Sequence, residues 1–139
     1  MFLIASALTG TSFATSETEE KTHIAVKAAG GPEAFLARVA AEVKKELPIA
    51  GPDGVVIREV AHAGLQISYR VYLTNVPDKK SFRGQGTSPN PGVVFHCTQI
   101  SNRVLFRDYK TTLFQEFVAA NGETLFTQVV NHAVCAALR

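Results

Sequence analysis

The chain has 139 residues, of which 46% are apolar and 19% charged, a size and balance that suit one domain with a hydrophobic core but not two. A net charge of only +2, with no Lys/Arg stripe interleaved with aromatic residues, argues against nucleic-acid binding. The core must consist of aliphatic side chains and nine Phe, because there is no Trp and one Met.

The N-terminal segment 1–14 carries no charge and ends in Ser12-Phe13-Ala14. An apolar stretch followed by a small-x-small triplet is typical of a signal peptide and its cleavage site. The basic residue that usually opens a signal peptide is missing, since the first is Lys21, so an apolar strand or helix retained in the fold is the alternative. The stretch is shorter than the ~20 residues of a membrane span. We therefore expect export to the periplasm or the exterior, without stable membrane insertion after cleavage.

Residues 15–31 begin with a polar, acidic stretch, which predicts a flexible leader before a single folded domain over 32–139. Pro32 follows a Gly-Gly pair and suits the first position of a helix. Pro48 would end that helix. The apolar residues between them have the spacing of one buried helical stripe: Phe35, Leu36, Val39, Ala40, Val43 and Leu47.

The next segment predicts a β-hairpin, with strands over 55–61 and 65–74 and a turn at 62–64. The second strand alternates with period two, so it should bury one face only. Its buried face would carry Leu65, Ile67, Tyr69, Val71 and Leu73, and its exposed face Gln66, Ser68, Arg70, Tyr72 and Thr74.

Residues 75–92 predict a long loop, since they contain three Pro and three Gly. Their basic residues are Lys79, Lys80 and Arg83. Loops of this length in a compact domain are usually either functional or disordered, and the sequence leaves both possibilities open.

The last third of the chain predicts a helix over 93–107, a hairpin and a short terminal helix over 132–139. The hairpin strands lie at 111–119 and 124–131, joined through Asn121-Gly122, the strongest short-range hairpin signal. The predicted fold is therefore α+β, an antiparallel sheet of two hairpins with helices on one face, in the order αββ-loop-αββ-α.

The chain has two cysteines, Cys97 and Cys135, which in an exported protein predict a disulfide bond. The bond would close a loop of about 39 residues and contribute about 4 kcal/mol. A redox role would favour a Cys-x-x-Cys motif, which is absent. Zinc binding by both cysteines with His96 and His132 is the alternative, but adjacent helical residues point about 100° apart, which argues against a shared ion.

Catalytic motifs are not evident. There is no Gly-x-Ser-x-Gly, and no Ser or Cys stands in a recognisable triad pattern. Glu59 and Glu116 could form a hydrolytic carboxylate pair, but as strand residues they fit a solvated face better. We therefore expect a protein that is not an enzyme, with no cofactor and no metal.

The second predicted hairpin is apolar on both faces, which a sheet covered on one side should not need. With Asn121-Gly122 as the turn, one face of the hairpin would carry Leu113, Phe117, Phe126 and Val130, and the other Phe114, Val118, Leu125 and Val129. A bulge or a strand covered on both sides explains this pattern. An exposed apolar patch for a partner, a ligand or a second copy is the alternative explanation.

One pattern resembles small exported bacterial proteins of uncharacterised function. It consists of a helix, Leu47-Pro48, a strand with Tyr69 and Tyr72, a helix with Cys97, an Asn-Gly hairpin and a final cysteine. The resemblance implies an envelope location and a disulfide, and it carries over no catalytic residue.

These observations predict a non-catalytic interaction protein of the cell envelope: an inhibitor, an immunity-type protein, or a secretion or envelope accessory factor. It would bind a protein partner or form a homodimer. A periplasmic small-ligand carrier, with a pocket between sheet and helices, is the first alternative, and an enzyme of unknown type is the second. The predicted contact residues are Arg70, Tyr72, Lys79, Lys80, Arg83, Phe114 and Phe117.

Overall fold

The structure is a computed structural model that describes residues 15–83 and 91–138. The signal peptide predicted for 1–14 lies outside the described residues, as does 84–90 within the predicted loop. The described helices are α1 (Thr15–Ala29), α2 (Pro32–Glu46), α3 (Pro91–Thr98), α4 (Ile100–Tyr109) and α5 (His132–Ala136). The described strands are β1 (Ile49–Ala50), β2 (Val55–Ala63), β3 (Gln66–Leu73), β4 (Thr112–Ala119) and β5 (Thr124–Val130).

The strands form one five-stranded sheet in the order β1-β2-β3-β4-β5. The α+β class is confirmed, but the sheet is mixed, not antiparallel throughout, because β3 and β4 run parallel. The connection between these two strands contains α3 and α4, and a crossover of this kind returns the chain to the end of the sheet where β3 began. Turn residues predict how the two strands of one hairpin pair, but they do not predict the direction in which one hairpin runs relative to the other.

The register of the second hairpin from Leu113↔Val130 to Phe117↔Phe126 is the one that a turn at Asn121-Gly122 produces. Beyond this point Val118 pairs with Thr124 instead of Leu125, so a bulge ends the regular ladder. In the first hairpin β2 extends two residues beyond its predicted end, to Ala63, whereas β3 begins at Gln66 instead of Leu65. The turn is therefore at 64–65 and not at 62–64.

Residues 15–29, expected to be part of a flexible leader, form helix α1, which packs on α2 and α4. Val26 is 1% exposed and Thr22 is fully buried, with its hydroxyl 3.2 Å from the Ser101 hydroxyl. The leader prediction relied on the acidic composition of 15–22 and is corrected here. The stripe that faces the core is built mainly of small residues and is therefore weak in sequence: Thr22, Ala25, Val26 and Ala29.

Val26→Ala tests whether α1 belongs to the folded domain. We expect it to lower the free energy of unfolding by about 1 to 2 kcal/mol, because two buried methyl groups are lost. The matched control is Ile24→Ala two residues earlier, since Ile24 is 59% exposed and should change stability by less than about 0.5 kcal/mol. Urea denaturation followed by circular dichroism measures both, and equal values for the two variants would show that α1 is not packed on the core.

The helix predicted over 93–107 is broken into α3 and α4 at Gln99, whose backbone is extended (φ −73°, ψ 121°). Residues on both sides of the break keep the apolar spacing of a single helix, so periodicity alone does not reveal it. Buried residues Val104, Leu105 and Phe106 attach α4 to the rest of the protein, and Lys110 ends α4 in the left-handed conformation (φ 60°).

The helices cover one face of the sheet. Along β3 as far as Tyr72, and along β4 as far as Glu116, buried residues alternate with more exposed ones, as expected for strands with one covered face. At the end of β4, Val118 and Ala119 are both buried. The largest fully buried side chains on the covered side are Leu36, Ile67, Tyr69, Leu105, Phe106 and Leu113. The opposite side of β3, β4 and β5 carries no helix among those that the structure describes, and we call it the open face.

Candidate functional site

The open face combines apolar and ion-paired side chains. Parallel pairing of β3 with β4 sets Ser68 beside Phe114 and Arg70 beside Glu116, and antiparallel pairing sets Phe114 beside Val129. Phe114 is half-exposed and Val129 is 41% exposed. The face therefore has apolar side chains next to a polar centre. The bulge offered as one explanation of the two-faced pattern is also present, between Phe117 and Val118, and Val118 is fully buried.

The polar centre is built on Arg70. Its Nη1 lies 3.3 Å from Glu59 Oε2, and its Nε lies 3.4 Å from Glu116 Oε1. The hydrogen bond with Glu59 raises the pKa of Arg70, and the charge of Glu116 adds to this effect. Glu116 also accepts a hydrogen bond from the Thr124 hydroxyl. The two carboxylates considered as a hydrolytic pair thus share one guanidinium and act as its ion-pair partners.

Tyr72 adds an aromatic surface at one end of this centre. The guanidinium carbon of Arg58 lies 4.6 Å from the centroid of the Tyr72 ring, and that of Arg70 lies 5.5 Å from it. Sequence reasoning did not identify Arg58. The structure buries both Ile57 and Val60, three residues apart, through a bulge in β2, and their apolar character is the only signal of this bulge in the sequence.

The predicted contact residues divide between the two sides of the sheet. Arg70, Tyr72 and Phe114 lie together on the open face. Phe117 projects to the covered face, where its ring stacks on Phe126 at 4.4 Å between centroids. Phe117 therefore supports the fold at this point and cannot share a surface with Phe114.

The basic residues of the predicted loop lie on a segment attached to the β4–β5 turn. Lys79 and Lys80 are exposed in a short 3-10 turn, and the Lys79 backbone N–H donates to Glu123 Oε1 at 3.0 Å. Arg83 donates to the Lys80 carbonyl at 3.1 Å. The described part of this loop is thus anchored by hydrogen bonds.

The predicted disulfide between Cys97 and Cys135 is present, with 5.5 Å between the two Cα atoms, and it joins α3 to α5. Both cysteine sulfurs are used in this bond, so they are not available as zinc ligands. Among residues 15–83 and 91–138, no group of three His, Cys, Asp or Glu side chains could hold a metal ion.

The disulfide lines a cavity of about 510 Å³ between α3, α4 and α5, which we call the disulfide cavity. This pocket lies among helices, whereas the ligand-carrier alternative expected one between sheet and helices. Its apolar wall includes Val94, Phe106 and Leu138, and its basic residues are Arg103, Arg107 and His132.

A charged network fastens α1 to α4. The His23 Nδ1 lies 2.6 Å from the Tyr109 hydroxyl, and its Nε2 lies 3.5 Å from Asp108. Arg107 binds Asp108 at 2.7 Å and Glu19 at 3.5 Å, which raises the pKa of Arg107 and lowers that of Asp108. His23, expected in a flexible leader, is thus part of the interface between two helices.

These features define a class: small α+β proteins with a mixed sheet, helices on one face and a disulfide that holds the C-terminal helix. None of the described helices combines the length and apolar character needed to cross a membrane. No protein-family model matches the sequence, and no curated protein sequence does so.

Three solved structures share the fold. The pilotin EpsS of the Vibrio vulnificus type 2 secretion system has a TM-score of 0.60 at 13% identity, over 86% of this chain and 96% of EpsS. A candidate secreted protein from Pseudomonas aeruginosa has a TM-score of 0.59 at 15% identity, over 91% and 99%. The type II secretion pilotin AspS from Vibrio cholerae has a TM-score of 0.54 at 14% identity, over 88% and 100%. At these identities the similarity establishes the fold.

Proposed function

We propose that this chain is an exported, non-catalytic accessory protein of a secretion system or of the cell envelope, which acts by binding another protein. The observation that carries the proposal is the fold shared with two secretion pilotins over nearly the full length of both. The disulfide supports a location outside the cytoplasm, where thiols are kept oxidised.

We place the partner contact on the open face, with Phe114 and Val129 at its apolar part and Tyr72 with its two arginines beside it. Apolar side chains on an uncovered sheet face favour a protein contact over a solvated surface. Tyr and Arg are also among the residues that contribute most to binding at protein interfaces. The neighbouring charges are already balanced within the chain, since Arg70 binds Glu59 and Glu116. The partner therefore meets this face mainly through apolar contact.

Site-specific photo-crosslinking in the native host tests the proposal. A photo-reactive residue at Ser68, beside Phe114 on the open face, should crosslink one envelope or secretion-system protein, identified by mass spectrometry. The same photo-reactive amino acid in place of Arg38, which is exposed on the outer side of α2, should not crosslink this protein. Crosslinks at 68 to a second copy of the chain only, or equal crosslinking at both positions, would contradict a heterologous partner on the open face.

Phe114→Ser should weaken binding of that partner at least about tenfold, because an apolar contact at the centre of the interface is lost. The matched control is Phe95→Ser, since Phe95 is 43% exposed and lies on α3, away from the open face. Binding of the purified proteins is measured by isothermal titration calorimetry after circular dichroism has shown that both variants fold. Unchanged affinity in folded Phe114→Ser would exclude the open face as the contact.

A further inference from the structure

The lining of the disulfide cavity combines basic and apolar side chains. Its lining contains no Asp or Glu, and its charged side chains are Arg103 and Arg107, with His132 beside them. Its apolar lining runs from the buried Phe106 to Leu138, which is 38% exposed. The volume of about 510 Å³ falls within the range of about 300 to 1,000 Å³ found for small-molecule sites.

The two arginines of this wall differ in their partners. Arg107 is held by Asp108 and Glu19, so its charge is balanced within the chain. Arg103 forms no ion pair with any residue in the part of the chain that the structure describes. A half-buried guanidinium that has no counter-ion among the described residues can bind an added anion.

We propose that the disulfide cavity binds a linear amphiphile with a single carboxylate, of the fatty-acid class. The carboxylate would bind Arg103, because a guanidinium matches a carboxylate with two parallel hydrogen bonds. The acyl chain would lie along the half-exposed Val94 and cover Leu138, removing exposed apolar surface from water. This site is separate from the open face, so the inference does not depend on the protein-contact function.

The hydrogen-bonding needs of the ligand favour an acyl chain over a peptide. An extended peptide needs a partner for each buried N–H and C=O, and the side chains of the lining that accept a hydrogen bond are Thr98 and His132. An acyl chain has no hydrogen-bonding group, so its buried part needs no polar partner. A peptide ligand is therefore an outcome that the experiment must be able to detect.

Calorimetric titration of the full, oxidised chain with decanoate, below its micelle concentration, tests this inference. Decanol and decyltrimethylammonium have the same alkyl chain with no charge and with the opposite charge. Decanoate should bind at least tenfold more tightly than either, because only the carboxylate can pair with Arg103. Equal affinity for decanoate and decanol, or tighter binding of an acidic peptide than of decanoate, would overturn the assignment.

Two variants locate the site. Arg103→Gln should weaken decanoate binding about tenfold and leave decanol binding unchanged, because only the charge interaction is removed. The control Arg38→Gln removes an exposed arginine from the outer side of α2 and should change neither. Leu138→Ser should weaken the binding of decanoate and of decanol to the same extent. An Arg103→Gln protein that folds and binds decanoate as tightly as the unchanged chain would exclude this cavity.

Discussion

Replacing Cys135 with Ser should lower the free energy of unfolding by about 4 kcal/mol, because the disulfide to Cys97 restricts the unfolded chain over a sequence separation of 38 residues. The folded state also depends on this bond at the C-terminus. Helix α5 is five residues long and contains no buried residue, so little else holds it against α3. The hydrogen bond from the Val134 N–H to the Asn131 side chain caps α5 but does not attach it to another helix.

Urea denaturation of oxidised protein measures this loss. Cys97→Ser and the double variant should give the same value as Cys135→Ser, because each removes the same bond, so the effects should not add. Dithiothreitol should destabilise the unchanged chain by a similar amount and leave the variants unaffected. A loss below about 1 kcal/mol would mean that the bond contributes little beyond the packing of α5 against α3.

The second large effect is an acid-induced loss of stability caused by His96. This side chain is 3% exposed, and its burial lowers its pKa from 6.5 to about 4. Between these two values the unfolded chain binds a proton that the folded chain does not. His96 should therefore leave the free energy of unfolding unchanged above pH 6.5 and lower it as the pH decreases towards 4. The decrease should be about 1.4 kcal/mol per pH unit and about 3 kcal/mol in total.

The variant His96→Leu isolates this contribution, because it removes the titrating group and leaves the others. Asp108, whose pKa is lowered by Arg107, also loses stabilising charge in acid, but it does so in both proteins and cancels in the comparison. Between pH 7 and pH 4.5 the free energy of unfolding of the unchanged chain should fall by more than that of His96→Leu. His62→Leu, at an exposed position of β2, is the control. Parallel pH profiles for His96→Leu and the unchanged chain would contradict a neutral, buried His96.

Local patterns in the sequence determined several elements of this protein. Six apolar residues at helical spacing predicted α2. Five of them are buried, and Leu47, at the C-cap, is half-exposed. The Asn121-Gly122 turn predicted the register of β4 against β5, and the two cysteines predicted the disulfide. Each of these inferences depends on residues within one turn or hairpin, or on a pairing with no alternative, so no knowledge of distant contacts was needed.

Other features were decided only by tertiary contacts. The acidic leader prediction for 15–31 was wrong over α1, because that helix is stabilised by packing against α2 and α4 and not by a strong apolar stripe of its own. The break at Gln99 likewise leaves the apolar spacing intact and follows from how α3 and α4 pack separately.

The candidate sites show the same division. Alternation along β3 placed Arg70 and Tyr72 on one face, but the ion pair of Arg70 with Glu116 exists because β3 runs parallel to β4, a pairing between segments 46 positions apart in sequence. The disulfide cavity requires three helices from both sides of the second hairpin to meet. Periodicity and turn residues act over a few positions, so they determine elements and faces. Burial of apolar surface between distant segments decides which faces meet, and only the tertiary structure revealed these contacts.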